Sequence, residues 1–171
     1  FGDVNEVTAR LPSALAATLI VLLTYFLGMK MFGRREAFIG AAVMATSAQF
    51  FSIGRVGALD MVVALSVLAA LAVFYVAYAD KRPVLYPAGF VFLVPGVMTK
   101  GPVALAVPLV VMLAFLILEI VLRKEDAVKQ LCWFAVSTVA GLAIVTLIVM
   151  PWWREAYERS GGVYGSLSIL V

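Results

Sequence analysis

Long apolar stretches separated by short charged clusters make up nearly the whole chain. Six apolar runs can be delimited: Leu11–Gly28, Ala37–Gly54, Met61–Ala79, Val84–Thr99, Pro102–Leu122 and Gln130–Met150. A transmembrane helix needs roughly 17 to 25 apolar residues, whereas a strand of a membrane barrel alternates apolar and polar positions over roughly ten. The runs lack that alternation, and most reach the helical length. We therefore predict an all-α fold, a polytopic transmembrane helix bundle of about six spans.

The fourth run is shorter than the others and ends at an unusual sequence. It has 16 residues and stops at Thr99-Lys100-Gly101-Pro102. At about 1.5 Å per residue it reaches about 24 Å, less than the roughly 30 Å of a hydrocarbon core. Glycine followed by proline interrupts a helix, and irregular backbone at membrane depth persists only where it lines protein or a cavity. We expect a short fourth span that ends at this break, with Lys100 facing a cavity.

Composition agrees with an integral membrane protein. Of the 171 residues, 64% are hydrophobic and 13% are charged, whereas soluble domains contain about 25% charged residues. The net charge of +3 arises from cations at the ends of the apolar runs, a pattern that indicates membrane anchoring, so we expect no nucleic-acid partner. With one cysteine and no histidine, the chain has neither an internal disulfide nor a histidine general base.

Lysine and arginine are unequally distributed between the two ends of the predicted bundle. Eight lie in the connections on one side: Lys30, Arg34, Arg35, Lys81, Arg82, Arg123, Lys124 and Lys129. Five lie on the other side: Arg10, Arg55, Lys100, Arg154 and Arg159. Short basic loops face the cytoplasm, so the side with five cations should be extracytoplasmic. That side also carries acidic residues, and we expect it to be the active face.

Lys100 is the first candidate functional residue. One interpretation is a tight turn in which the ammonium group extends outward to the membrane surface. The other is binding of an anion, because a lysine ammonium is a point charge suited to a phosphate. The short fourth run and the Gly101-Pro102 break favour the anion-binding role.

The remaining candidates have weaker signals. Asp60 has the residue type and position of an N-cap for the third span, although Arg55 nearby adds an opposite charge at the mouth of the bundle, so both roles stay open. Glu6 and Arg10 are four residues apart and are expected to pair at the entry to the first span. Arg154 follows Trp152 and Trp153, which indicate an interfacial aromatic belt, and it is a candidate for contacting an anionic lipid.

Four segments together resemble a known enzyme family: ARLPSAL, GRVGALDMVVA, GVMTKGPVALAVP and VMPWW. Their order and spacing are similar to those of membrane glycosyltransferases of the GT-C fold, in the bacterial branch that includes lipid A aminoarabinose transferases and is related to protein O-mannosyltransferases. The resemblance implies an enzyme of the bacterial inner membrane. It would move a sugar from a polyprenyl-phosphate donor to a lipid, glycan or protein acceptor on the extracytoplasmic side.

The resemblance also implies roles for individual residues. Asp60 would be a supporting carboxylate near the active-site cavity, Lys100 would lie near the donor phosphate, and the PWW segment would start a periplasmic loop over the donor. Beside these, Arg55 and Arg154 are our own candidates for further substrate-binding residues, because they lie on the same side as Lys100. The principal catalytic carboxylate of the family lies upstream of Phe1. We therefore expect a single transmembrane domain over residues 1–171 that is the middle part of a longer enzyme and is inactive alone. Some relatives use a divalent cation, which only carboxylates could bind here.

A transporter or lipid flippase, or a non-catalytic membrane subunit, is the alternative to an enzyme. Transporters place charged sites near the membrane midplane and are built from repeats. This sequence shows no internal repeat, and its candidate charges gather at one face. These features favour the transferase.

Overall fold

The computed structural model describes residues 6–57, 59–123 and 126–159, and the elements within these ranges are all helical. In chain order the helices are α1 (Glu6–Met31), α2 (Arg34–Thr46), α3 (Ala48–Val56), α4 (Asp60–Ala79), α5 (Tyr86–Val91), α6 (Val94–Lys100), α7 (Val103–Arg123) and α8 (Asp126–Arg159), with a 3₁₀ turn at Pro83–Leu85. Five segments of the described ranges are long and apolar enough to cross a membrane, or six if α2 and α3 form one span. The predicted all-α bundle of about six spans is confirmed.

The second apolar run forms two helices rather than one, because the chain bends by 59° between α2 and α3. Ser47 at the bend has extended backbone angles, φ −64° and ψ 123°. Just before it, the Thr46 hydroxyl donates a hydrogen bond to the Ala42 carbonyl at 2.8 Å. Hydroxyl groups that bond to the backbone in this way favour bends in helices. The bend divides the second apolar run into α2, which ends at Thr46, and α3, which begins at Ala48.

The fourth run is divided by its prolines. It starts with the 3₁₀ turn and continues as α5 and α6, which have Pro87 and Pro95 in their first turns. Pro95 has no N–H to donate to the preceding turn, so the helix is interrupted before it. The run ends at Lys100 as predicted, where Gly101 adopts φ 68°. The segment Pro83–Lys100 has 18 residues, near the lower end of the roughly 17 to 25 residues of a spanning helix, so the fourth span is short, as predicted.

Helix α4 is at the centre of the bundle, because it contacts α1, α5, α6 and α7. The larger apolar cluster surrounds Phe74 of α4, which is fully buried. Its ring centroid lies 5.2 Å from that of Phe90 and 5.4 Å from that of Phe134, within the range of favourable aromatic pairs. Tyr86 completes this group, and its hydroxyl donates to the side-chain oxygen of Gln130 on α8 at 3.0 Å. These contacts fix α5 and α8 against α4.

A smaller apolar cluster joins the other side of α4 to the N-terminal helices. Its buried members are Ala16 and Ile20 of α1 and Met61 of α4. Phe50 and Ile53 of α3 pack against them. The two clusters therefore contain residues from opposite ends of α4. Met61 of the smaller cluster lies in the first turn, and Phe74 of the larger cluster lies near the other end.

The last helix extends beyond the sixth apolar run. The run ends at Met150, but α8 continues through Pro151 to Arg159. Trp153 and Tyr157 stack with centroids 6.0 Å apart, and Glu155 pairs with Arg159 at 2.7 Å, which is the spacing of neighbours on one helical face. The expected start of a loop at the PWW segment was therefore wrong, because a proline removes only one backbone donor and local side-chain pairs continue the helix.

We expect substitution of Gly141 to destabilise the bundle. A Cβ atom at this position would overlap the Phe90 ring. Overpacking of this kind costs about 1 to 3 kcal/mol, so Gly141→Ala should lower the unfolding midpoint of the detergent-solubilised protein. Gly40→Ala is the matched control, because a Cβ there has nothing within 4 Å and alanine favours a helix by up to about 1 kcal/mol. Equal midpoints for the two variants would contradict this account of the core.

Candidate functional site

An ion pair joins the start of α4 to the end of α6. The Lys100 ammonium group contacts the Asp60 carboxylate, and the two side chains are 48% and 53% exposed. Asp60 lies in the first turn of α4 and Lys100 in the last turn of α6. A negative charge at a helix N-terminus and a positive charge at a C-terminus are each favoured by the helix dipole. The structure thus brings together the two candidates that the sequence put on the same side of the membrane.

Gly96 allows α6 to approach α4 closely enough for this pair. A Cβ at Gly96 would lie 3.1 Å from the Cβ atoms of both Ser66 on α4 and Ala104 on α7. Ser66 is buried, and its hydroxyl donates to the Val62 carbonyl within the same helix at 2.9 Å, so no polar group is left unsatisfied at the contact. Lys100 follows one turn after Gly96 and is thereby held near Asp60.

The break after Lys100 is a specific backbone feature. Gly101 has φ 68° and ψ −149°, a region that residues with a Cβ rarely adopt. Its N–H donates to the Val97 carbonyl at 2.8 Å, which closes the last turn of α6. The break therefore ends α6 at the lysine.

Asp60 does not have the N-cap role that was left open for it. The N-cap position of α4 is occupied by Leu59, and no side-chain hydrogen bond caps the helix there. The N–H groups of Val62 and Val63 instead donate to the Leu59 carbonyl at 3.0 and 3.2 Å. Because the carboxylate of Asp60 pairs with Lys100, a purely local capping role is excluded. The alternative interpretation of Lys100, in which its ammonium group only extends outward to the membrane surface, is also incomplete, because the ammonium group contacts Asp60.

An open, mostly apolar groove of about 390 Å³ begins at Asp60. Its volume lies within the roughly 300 to 1,000 Å³ that small-molecule sites occupy. Ser47, at the bend between α2 and α3, forms part of its wall. The lining residues are Ile20, Met44, Ser47, Gln49, Phe50, Ile53, Asp60, Met61 and Ala64. The arrangement places one carboxylate, paired with Lys100, on a mostly apolar surface.

The other predicted cations lie apart from this pair. The Arg55 guanidinium lies 5.1 Å from the centroid of the Phe51 ring, and it lines a separate groove with α1. It is therefore not the partner of Asp60. Arg154 is exposed on α8, and its predicted substrate contact stays a prediction. The side chain of Glu6, expected to pair with Arg10, lies outside the described residues.

A second ion pair was missed by the sequence analysis. Lys30 of α1 donates to both carboxylate oxygens of Asp80 at 2.8 Å. The sequence did contain a signal, because Asp60 and Asp80 stand at the two ends of the 20-residue helix α4. At about 1.5 Å per residue this helix is about as long as the roughly 30 Å thickness of a hydrocarbon core. The two ion pairs therefore lie at opposite ends of α4.

The described residues do not provide a metal centre. Within residues 6–57, 59–123 and 126–159, no three side chains of the His, Cys, Asp and Glu types are grouped so that they could hold an ion. Hard divalent cations take about six or more oxygen ligands, and the carboxylate of Asp60 is already paired with a cation. The divalent cation suggested by the resemblance does not fit the residues at this site.

Comparisons with known proteins connect the chain to polyprenyl-phosphate-dependent transferases. Residues 1–153 match the dolichyl-phosphate-mannose-protein mannosyltransferase family. The chain is 29% identical over 157 residues to the undecaprenyl phosphate-alpha-4-amino-4-deoxy-L-arabinose arabinosyl transferase of Erwinia tasmaniensis, which covers 89% of this chain and 27% of the relative. For the Yersinia enterocolitica protein of the same name the identity is 28% over 164 residues, or 93% of this chain and 28% of the relative. No solved structure matches the chain.

These matches concern only part of each relative. The chain spans about a quarter of the length of the curated transferases, 27% and 28% for the two above. The part of this chain that matches the family nevertheless includes Asp60, Lys100 and most of α8.

We expect the close approach at Gly96 to be required for the ion pair. Gly96→Val should separate α6 from α4 and α7, because its side chain would press on Ser66 and Ala104, and the strain should cost about 1 to 3 kcal/mol. Ser66→Gly should destabilise the Gly96→Val variant less than it destabilises the parent, because in that variant it also removes one of the two contacts. Thermal unfolding of the parent, the two single variants and the double variant is the measurement. Equal effects of Ser66→Gly in the two backgrounds would contradict this contact.

Proposed function

The chain belongs to the dolichyl-phosphate-mannose-protein mannosyltransferase family, and we propose that it forms part of the membrane domain of a polyprenyl-phosphate-dependent glycosyltransferase. The enzyme moves a sugar from a polyprenyl-phosphate donor to a lipid, glycan or protein acceptor. The proposal assigns residues 1–171 to a single transmembrane domain in the middle of a longer chain, in keeping with relatives several times its length.

The single observation that carries the proposal is the Asp60–Lys100 pair beside the apolar groove. A polyprenyl-phosphate donor has the same two parts, an anionic phosphate and a long apolar chain. The walls formed by Ile20, Met44 and Ile53 suit the apolar chain, which gains free energy in proportion to the area it removes from water. The ammonium group of Lys100, which contacts the lining residue Asp60, suits the phosphate.

The ion pair also explains how a cation is held ready in the absence of a donor. Asp60 neutralises Lys100, and because both side chains are about half exposed, their attraction is worth about 1 kcal/mol or less. A donor phosphate carries a negative charge in the same place and can replace Asp60 at the ammonium group. The exchange leaves the Asp60 carboxylate available for a hydroxyl of the sugar or acceptor.

The reaction is a displacement at the anomeric carbon of the sugar. The acceptor oxygen forms the new bond to this carbon, the bond to the phosphate oxygen breaks, and the acceptor proton passes to a carboxylate acting as general base. Lys100 stabilises the negative charge on the departing phosphate. In this scheme Asp60 has the supporting role, because it lies next to the cation that holds the leaving group.

The proposal places the active face on the extracytoplasmic side of the bacterial inner membrane. The basic connections Lys30–Arg35 and Lys81–Arg82 lie at the end of α4 opposite to Asp60. Short basic connections remain in the cytoplasm. The Asp60–Lys100 pair would then face outward, where lipid-linked sugars are used by enzymes of this kind.

Lys100→Ala in the full-length enzyme is expected to weaken binding of a polyprenyl-phosphate donor about 10- to 150-fold, because a hydrogen bond to a charged group contributes about 1.5 to 3 kcal/mol. Lys30→Ala is the matched control, since it removes the lysine of a similar interhelical ion pair at the other end of α4. Both variants should unfold within about 1 kcal/mol of the parent. Equal donor affinity for Lys100→Ala and the parent would refute the phosphate role.

The orientation can be tested by labelling introduced cysteines. In a Cys132→Ala background, which removes the exposed native thiol, Glu158→Cys should react with a membrane-impermeant maleimide on intact spheroplasts. Arg34→Cys should react only after the membrane is permeabilised, because it lies in a basic connection. The reverse pattern would overturn the assignment of the active face without bearing on the donor site.

A further inference from the structure

A second groove lies between α1 and the bent α2–α3 pair, and it shares only Phe50 with the groove at Asp60. Its volume is about 230 Å³, and its lining residues are Ala14, Ala17, Thr18, Val21, Ala45, Phe50, Phe51, Gly54 and Arg55. Arg55 is the only charged member of this set. We propose that this groove binds a membrane glycerophospholipid, with one acyl chain along α1 and the phosphodiester at Arg55.

The walls have the form that a single acyl chain requires. Small side chains at Ala14 and Ala17 leave a furrow along α1, and the hydroxyl of Thr18 donates to the Ala14 carbonyl at 2.9 Å, so the furrow presents no unpaired hydroxyl donor to the chain. From Ala14 to Val21 the helix rises about 10 Å. This is most of the roughly 15 Å that the acyl chains of one leaflet occupy.

Arg55 is placed to hold the headgroup. It lies in the last turn of α3, at the end of the bundle that carries Asp60 and Lys100. Its contact with the Phe51 ring, 5.1 Å from the centroid, is a cation–π interaction that orients the guanidinium group. A guanidinium held over an aromatic ring can still make two parallel hydrogen bonds to phosphate oxygens through its N–H groups.

The dimensions favour a phospholipid over a second polyprenyl donor. The helices that form the furrow are in close contact, since a Cβ at Gly54 would lie 3.2 Å from the Cβ of Ala17. An unbranched acyl chain enters such a narrow space more easily than a chain with a methyl branch on every prenyl unit. Glycerophospholipids also surround the groove at high local concentration. The inference does not depend on the transfer reaction, because it concerns a different groove and a different cation.

A photoactivatable phosphatidylglycerol tests the inference. The probe carries a diazirine in one acyl chain and is added to the full-length protein in micelles of dodecyl maltoside, a detergent without a phosphate. After illumination, mass spectrometry should find labels on peptides of α1 and α3 that exceed those on the lipid-facing surface of α7. An excess of unlabelled phosphatidylglycerol should remove this signal, whereas glycerol 3-phosphate should not, since it lacks the acyl chain.

Variants at two positions, Arg55 and Ala14, separate the contribution of charge from that of shape. Arg55→Ala should reduce labelling of α1 and α3 at least fivefold, and Arg55→Lys should retain part of it. Ala14→Leu, at an exposed lining position, should reduce labelling to a similar extent with every charge in place. Lys100→Ala is the control at the same end of the bundle and should label like the parent while losing donor affinity.

Either of two labelling results would contradict a phospholipid in this groove. Labelling of α1 and α3 that is unchanged by both Arg55→Ala and Ala14→Leu, or no stronger than on α7, would show bulk lipid or another part of the protein at this surface. Thermal unfolding of each variant confirms that a loss of labelling does not reflect a loss of folding. The donor-binding assay reports on Lys100 separately, so the two proposals can fail independently.

Discussion

Phe74 of α4 packs against Phe90 of α5 and Phe134 of α8, with centroid distances of 5.2 and 5.4 Å. In a lipid environment the hydrophobic effect does not favour helix association, so close packing and hydrogen bonds must hold the helices together. The rings reach this distance because Gly89 and Gly141 have no side chain where Phe74 and Phe90 lie. Because only two residues separate α5 from α6, fixing the position of α5 also restricts the position of Lys100 at the end of α6.

Stability and function make different demands on the Asp60–Lys100 pair. As an exposed ion pair it contributes about 1 kcal/mol or less to folding, while the aromatic cluster and the contact at Gly96 supply the precise helix positions. In the proposed donor site this small attraction is an advantage, because a strongly bound lysine would not release its carboxylate when a phosphate arrives.

Both grooves are lined by residues from either side of the bend at Ser47. The 59° change of direction there moves α3 away from the axis of α2. Phe50 of α3 then lines the two grooves, one containing Asp60 and the other containing Arg55. Lys100, through its partner Asp60, and Arg55 are thereby associated with different grooves. This geometry underlies the assignment of the donor to one groove and a phospholipid to the other.

Sequence alone was sufficient for the class of fold, the approximate number of spans and the break after Lys100. Apolar runs of about 20 residues have one solution in a bilayer, because backbone groups must be paired within the helix, and glycine followed by proline ends a helix by local sterics. The charges also indicated that Asp60 and Lys100 share a side. What the sequence did not reveal was which residues pair.

Tertiary structure decided the partner of Asp60, the bend at Ser47 and the extension of α8 beyond Pro151. Arg55 is five residues from Asp60 in the sequence, yet Lys100, forty residues away, is the residue that contacts it. That contact depends on how closely α6 approaches α4 at Gly96, which is a property of two surfaces that pack together. Periodicity and charge describe one segment at a time, so they determine which helices form and which end faces which side. The packing of side chains from distant segments determines which of those charges meet.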